Sequence, residues 1–410
     1  KTKQNIYYLL VLLTLISFGF FGSLSHLFSL TLITVMCVEY IRSDKEDKNN
    51  YRVSLFYLAL SGCFFLFFLT SLFRTDFRLL LYSLGPMLPI PIIGMLLIFH
   101  NGTKFKITSK KLSQFSQISI FFLSGIYVLL KIFSASDNSL HGFHTGRLTL
   151  FSGNPIPFSF CVLGLSIFCL ADWRHSNKKN KLIAFLLFLF GAYGAGFLSG
   201  TRGTLLALLL ISPIIIFHLI EKSMLRLLFI IISALVIFFI FQANFDNSLV
   251  GSYTNRIKNG LETLLLLEDR DNSIWQRLDM WSAAINAFSK APIFGHGIAE
   301  RFAALKPYLK DSNIQYTHPH NDIFAGLISN GVTGGIAVLA SLMSGFAAAI
   351  SAPNRSSTKL YFGLMISCLA MVTGSVSTVL FNDISSAWLA FSTYLIWVTD
   401  FNDDHPRLKN

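Results

Sequence analysis

The sequence predicts an all-α integral membrane protein of about twelve transmembrane helices, with one long helical loop between the ninth and tenth spans. Three observations carry that prediction. Of the 410 residues, 53% are hydrophobic, 41 are Phe and only 13% are charged, where a soluble domain has roughly 25% charged residues. So few charges cannot cover a core of that size, which excludes a soluble enzyme, a disordered chain and a secreted disulfide scaffold. The apolar residues also fall into runs long enough to cross a bilayer, which takes about 20 residues per helix. Finally, the basic residues collect in alternate connections between those runs.

The runs lie at about 5–22, 24–41, 53–73, 79–99, 118–134, 150–171, 182–199, 203–220, 227–243, 331–350, 360–380 and 386–399. Only Gly22 and Ser23 join the first two, which predicts a tight hairpin. Pro155 and Pro157 stand near the entrance of the sixth run. Lys1 and Lys3 precede the first run as they would in a signal peptide. The second span follows at once, with no small-residue cleavage site, so the first run reads as an ordinary helix. The chain thus divides into spans one to nine over 1–241, an outer loop over 242–322, and spans ten to twelve with a short tail over 323–410.

Placing the N-terminus in the cytoplasm puts most of the basic residues in the inside connections, against only Arg74, Arg78, Arg147 and Arg202 in the short outside ones. Positive charge marks short cytoplasmic loops, so both termini are expected in the cytoplasm. The net charge of +12 is spread in short bursts along the chain. That pattern faces anionic lipid, whereas a nucleic-acid binder gathers its charge on one face or stripe. Membrane lipid is therefore an expected partner and nucleic acid is not. The cysteines lie inside apolar runs, so neither disulfides nor a thiolate metal site is expected.

Residues 242–321 break the rhythm of short connections. Ile274, Trp275, Leu278, Trp281, Ile285 and Phe288 recur at three- and four-residue spacing, the mark of an amphipathic helix. Acidic and basic residues balance across the loop, so it is not a basic tail. A structureless loop of this length is uncommon and a long loop is usually functional. The segment reads as a small helical cap on the outer mouth of the bundle.

Three features on that outer side could carry chemistry. Ser199-Gly200-Thr201-Arg202-Gly203-Thr204 interrupts two apolar helices and sets an arginine between glycines at a helix start. A fixed cation at a helix N-terminus is suited to phosphate oxygens, although an arginine there also snorkels to the interface. Gln276-Arg277-Leu278-Asp279-Met280-Trp281 supplies a second cation. Arg277 and Asp279 are two residues apart and do not face each other on a helix. Thr317-His318-Pro319-His320-Asn321-Asp322 supplies imidazoles that titrate near neutral pH and can accept a proton from a hydroxyl. Asn321 could orient the His320 ring or a substrate hydroxyl, and Gly331 and Gly334 would permit close helix packing nearby. His296, His318 and His320 share the loop, but their spacing matches no standard zinc signature, so no metal is expected. Asp269, Asp271, Asp279 and Asp322 show no arrangement for a hard cation. No phosphate loop, dinucleotide fingerprint or nucleophilic-serine elbow is present, and no cofactor is expected.

These residues together resemble the O-antigen ligase and O-antigen polymerase superfamily of bacterial envelope enzymes. Thr201-Arg202-Gly203 is similar to that family's arginine-containing break, and Arg277-Leu278-Asp279-Met280-Trp281 to its loop arginine with a following aromatic. His320-Asn321, nine residues, Gly331, two residues and Gly334 resemble its His–Asn and Gly–x–x–Gly motif. Ala291-Pro292-Ile293-Phe294-Gly295-His296-Gly297 is similar to a segment common between the last two. The resemblance implies a GT-C-like bundle in the bacterial inner membrane with a periplasmic active site. It also implies an inverting, metal-independent glycosyltransferase whose donor is a glycan on undecaprenyl diphosphate. His320 would be the catalytic base and Arg202 and Arg277 the diphosphate ligands, with Gly203, Asn321, Gly331 and Gly334 in support. Arg74, Arg78, Arg147 and His318 are weaker candidates.

A ligase would pass the glycan to lipid A–core, and a polymerase would pass it to a second lipid-linked glycan. One dominant outer loop favours the ligase. A non-enzymatic lipid or polysaccharide flippase would need charges buried in many spans, and the sequence offers few.

Overall fold

The computed structural model of the chain describes residues 2–20, 31, 34, 86, 89, 107–133, 143–144, 147–148, 154–227, 272–310, 319–352 and 354–401. The runs expected near 24–41, 53–73, 79–99 and 227–243 lie wholly or almost wholly outside the described residues, as do Arg74, Arg78 and His318. The described helices are α1 (Thr2–Phe20), α2 (Ser109–Phe133), α3 (Pro155–Cys169), α4 (Lys178–Tyr193), α5 (Arg202–Leu219), α6 (Asn272–Lys290), α7 (Arg301–Leu305), α8 (Asp322–Leu342), α9 (Ser344–Ser351), α10 (Ser357–Val376) and α11 (Asp383–Val398). A π-helical turn, Gly194–Leu198, continues α4. Two short strand pairs accompany them. β1 (Ile107–Thr108) runs parallel to β4 (Thr399–Asp400), and β2 (Phe143–His144) is antiparallel to β3 (Arg147–Leu148).

Five stretches among the described residues are long and apolar enough to cross a membrane: Ser109–Leu129, Lys178–Leu198, Arg202–Leu219, Asp322–Leu342 and Ser357–Val376. The chain is therefore a mostly helical, multi-pass membrane protein. Local chemistry sets where its helices start. Asn154, Asn177, Ser356 and Asn382 each accept a first-turn backbone N–H with the side chain, meeting donors that an apolar environment leaves costly. Pro155 suits the first turn of α3, where its missing N–H costs nothing.

α3 is buried along almost its whole length and forms the centre of the bundle, with α1, α2, α4, α10 and α11 around it. Gly164 lets Trp388 of α11 approach: a Cβ there would stand 2.5 Å from Nε1 of the indole. Phe18 and Phe168 close on the same indole edge-on, at ring-centroid distances of 5.1 and 6.2 Å. α2 begins nine residues earlier than its hydropathy predicts. Its Ser113 donates to the Cys169 carbonyl at 2.6 Å, and Gln117 donates to Ser113 at 2.9 Å. Polar residues that bond to a neighbouring helix lower the hydropathy of a span without exposing it to water.

The tenth span differs from the expected uninterrupted run over 331–350. α8 begins at Asp322 and breaks at Asn330 (φ −135°, ψ 20°) and Gly331 (φ 66°, ψ −151°). Its two limbs, 322–329 and 332–342, pack on each other. A Cβ on Gly326 would lie 2.7 Å from Val338 Cγ2, and one on Gly335 would lie 2.6 Å from Leu327 Cδ2. Residues eight or more apart in a straight helix are about 12 Å apart or further, so the chain doubles back at the break. Gly331 takes the positive φ at the corner, and a Cβ on Gly334 would collide with the Gly326 carbonyl. The two glycines thus let one helix pack against itself. A second break follows at Met343, where the Phe346 N–H donates to Ser367 Oγ of α10 at 2.8 Å.

Gly331→Ala should therefore destabilise the fold by about 2–6 kcal/mol, adding backbone strain to a steric clash with the carbonyls of Pro292 and Ile293. Thermal unfolding in detergent measures this, and a melting temperature equal to that of the wild type would contradict it.

Candidate active site

The first motif sits where α4 gives way to α5. Gly200 turns the chain at φ +64°, and Thr201 precedes the helix in an extended conformation. The Thr201 hydroxyl does not cap α5 but donates to the Pro155 carbonyl at 3.3 Å. Arg202 is thus the first residue of a helix whose N-terminal N–H groups and dipole favour an anion. Gly203 seats this start on the far end of α10, since a Cβ there would lie 2.7 Å from Val376 Cγ2. The β3 strand that carries Arg147 borders the Gly194–Leu198 turn.

The second motif lies on α6. Met280, Ala283, Ala284 and Ala287 bury one face against Leu305 and Ile328. This is not the periodic set of the sequence reading, of which Ile285 is exposed and the others are only partly buried. Arg277 Nη1 donates to the Ser273 carbonyl at 3.0 Å and to Ser273 Oγ at 2.7 Å. The two carboxylate oxygens of Asp279 accept the Lys310 N–H at 3.2 and 3.0 Å, which holds the turn after α7.

The third motif is fixed from both sides. Trp281 Nε1 donates to the Pro319 carbonyl at 3.1 Å, tying α6 to the residue before His320. After it, Asn321 Oδ1 accepts the Phe324 N–H at 3.1 Å and caps α8, while Nδ2 donates to the Ser375 carbonyl at 2.7 Å. Both ends of the Asn321 amide are therefore bound to backbone. These bonds place the helix start. Between these anchors His320 adopts φ +50°, unlike every other described residue that is not glycine. That conformation costs about 1–3 kcal/mol and persists only where the surroundings hold it.

His320 is half-buried, and burial, with the charge of Arg277 second, lowers its pKa to about 4. The imidazole is consequently neutral across the physiological range, the form in which it can accept a proton. The effect of Arg277 also shows that the second and third motifs share one electrostatic environment. The end of α10 links them to the first, because Val376 meets Gly203 and Ser375 meets Asn321. Three motifs far apart in the chain thus border one junction.

Ser375 and Arg301 of this junction lie outside the sequence reading, and Asp322, considered there only as a cation ligand, has a different place. Asp322 is buried, and its carboxylate accepts Thr378 Oγ1 at 3.0 Å, the Val379 N–H at 2.7 Å and the Leu380 N–H at 3.0 Å. Ser375 sits within what hydropathy reads as plain membrane span. A cluster of Thr373, Ser375, Ser377 and Thr378 hydroxyls in that run was the available signal. Arg301 packs its guanidinium over the Phe381 ring at 4.8 Å, with no periodicity to mark it. His296 is occupied elsewhere, with Nε2 2.8 Å from the Ala287 carbonyl. Among the described residues no group of three His, Cys, Asp or Glu gathers to hold a metal ion.

Fold and junction together define a multi-pass helical membrane protein with arginines and a neutral histidine around one polar end. Residues 183–339 match the model of a family described as O-antigen ligase. The matched stretch contains Arg202, Arg277 and His320. A protein of Haemophilus influenzae (strain ATCC 51907 / DSM 11121 / KW20 / Rd), described only as uncharacterized, is 26% identical over 170 residues. That alignment covers 39% of this chain and 41% of the relative.

Proposed function

We propose that the protein is an inverting, metal-independent glycosyltransferase of the O-antigen ligase type, working at the periplasmic face of a bacterial inner membrane. Its donor is a glycan on undecaprenyl diphosphate and its acceptor a sugar hydroxyl of lipid A–core. The acceptor oxygen forms a bond to the anomeric carbon from the face opposite the diphosphate. The bond from that carbon to the diphosphate oxygen breaks, and its electron pair leaves with the diphosphate. Arg202 and Arg277 stabilise the charge that grows there, as fixed donors aimed at a developing anion do. His320 takes the hydroxyl proton.

The observation that carries this reading is the meeting of the first and third motifs at the end of α10, where Val376 meets Gly203 and Ser375 meets Asn321, with the charge of Arg277 acting on His320. A base held near pKa 4, by burial first and by the charge of Arg277 second, is weak. A bound diphosphate offsets the Arg277 charge and raises the basicity of His320, so the base strengthens when the donor is in place. Proton transfer from the acceptor is thereby coupled to donor binding.

An envelope polysaccharide gel of cells lacking the protein tests the assignment. Bare lipid A–core, with long polymer accumulating on undecaprenyl diphosphate, is the result expected of a ligase. Core capped by a single repeat would make the enzyme a polymerase using the same donor. An unchanged ladder would overturn both.

A further inference from the structure

We propose that Arg301 and Asp322 form a positioning pair that locks the backbone on the C-terminal side of His320 against the loop after α10. The inference rests on the reading of His320 as the base only for its kinetic consequence. The clamp itself stands on the contacts that each residue makes with the segment 378–381.

Asp322 follows His320 by two residues. Its carboxylate collects one hydroxyl and two backbone N–H groups from Thr378, Val379 and Leu380. It also lies tight on α10, because a Cβ on Gly374 would stand 2.9 Å from Oδ2. Three neutral donors orient a carboxylate, but they do not remove the cost of burying its charge.

Arg301 is the cation that lowers that cost. α7 packs on α8, and the guanidinium attracts Asp322 electrostatically. Its place is set twice, by a hydrogen bond from Nη1 to the Ile298 carbonyl at 3.0 Å and by the Phe381 ring. Phe381 is the residue after the segment that Asp322 holds. One side chain therefore touches the loop and the other hydrogen-bonds it, and opposite charges draw the two together. Burial lowers Arg301 to a pKa of about 10, while Asp322 acts in the opposite direction. The guanidinium remains charged at neutral pH. Its Nε is buried without a hydrogen-bond partner among the described residues, an arrangement with little value to folding alone.

The consequence falls on His320. Its left-handed backbone needs support from both neighbours, and Trp281 supplies only the N-terminal side, through Pro319. The C-terminal side depends on Asn321, which bonds Ser375, and on Asp322. Arg301 thus acts on the reaction through the placement of the imidazole, without touching substrate.

Hydrogen exchange on the whole protein in nanodiscs tests the clamp directly. In Arg301→Met, exchange at the Val379 and Leu380 amides should rise about tenfold while the interior of α10 is unchanged, as local opening behaves. Arg301→Lys should restore protection, since it keeps the charge. Unchanged exchange at those amides would overturn the proposal. So would a rise along all of α10, which would make the pair part of the general fold. The kinetic arm uses a lipid-linked glycan donor and lipid A–core. Arg301→Met should lower kcat about 100-fold at an unchanged KM for the donor, with recovery in Arg301→Lys. A raised KM at unchanged kcat would assign Arg301 to donor binding instead. If the wild-type protein transfers no glycan, the proposed function fails, and the exchange experiment still decides the clamp.

Discussion

Replacing His320 with alanine is expected to lower the glycan transfer rate about 10²- to 10⁴-fold, the usual contribution of a positioned general base. Donor affinity should change little, because the charges assigned to the diphosphate stay in place. Reconstituted membranes with saturating donor measure both quantities. A kcat within twofold of the wild type would remove His320 from the mechanism.

The pH dependence follows from the environment of the ring. Burial and Arg277 hold His320 at about 4, below the ordinary value of about 6.5. The catalytic form is the neutral one. Transfer by the donor-free enzyme, read as kcat/KM, should therefore be level from pH 8 down to about 5 and fall below that. In the bound complex the diphosphate raises the basicity of His320, so the acid limb of kcat should lie at higher pH than that of kcat/KM. Folding stability has the same sign. A histidine held neutral in the fold stabilises it above the unfolded value, and that contribution is lost as the pH falls from about 6.5 towards 4. Identical acid limbs for kcat and kcat/KM would refute the coupling between donor and base.

What the sequence made legible was periodic or chemically conspicuous. Large apolar residues recur at helical spacing and mark the helix Asn272–Lys290, but not the face it buries, which Met280 and three alanines form. The arginine between glycines marks the start of α5 at Arg202. Elements that depend on one part of the chain satisfying another were hidden. Ser113 and Gln117 look like solvent-facing residues until Cys169 supplies their acceptor, so α2 was read nine residues short. The reversal in α8 needs Gly331 at positive φ beneath the carbonyls of Pro292 and Ile293, and hydropathy cannot register a corner between two apolar limbs. Asp322 was noticed as a possible cation ligand. Its partners lie more than fifty residues away in the run from Thr378 to Leu380, and only the folded chain brings them together.

The two arginines should prove unequal although both are proposed to hold the leaving group. Arg202→Ala and Arg277→Ala should each cost about 10²- to 10³-fold in kcat, the effect of removing one fixed donor from a developing anion. Lysine should recover part of that loss at either position, since it restores the charge without the planar fork that grips two phosphate oxygens. The difference lies in the pH profile. Arg277 lowers the basicity of His320, so its removal should move the acid limb of kcat/KM to higher pH. Burial and Arg277 are what lower His320, so Arg202→Ala should leave that limb where the wild type has it. The double variant should lose less than the product of the two single losses, because one diphosphate is shared and neighbouring charges do not act independently. A common shift of the acid limb in both variants would show that the arginines act on general folding of the junction. An unshifted limb in Arg277→Ala would break the link between the second and third motifs on which the proposed function rests.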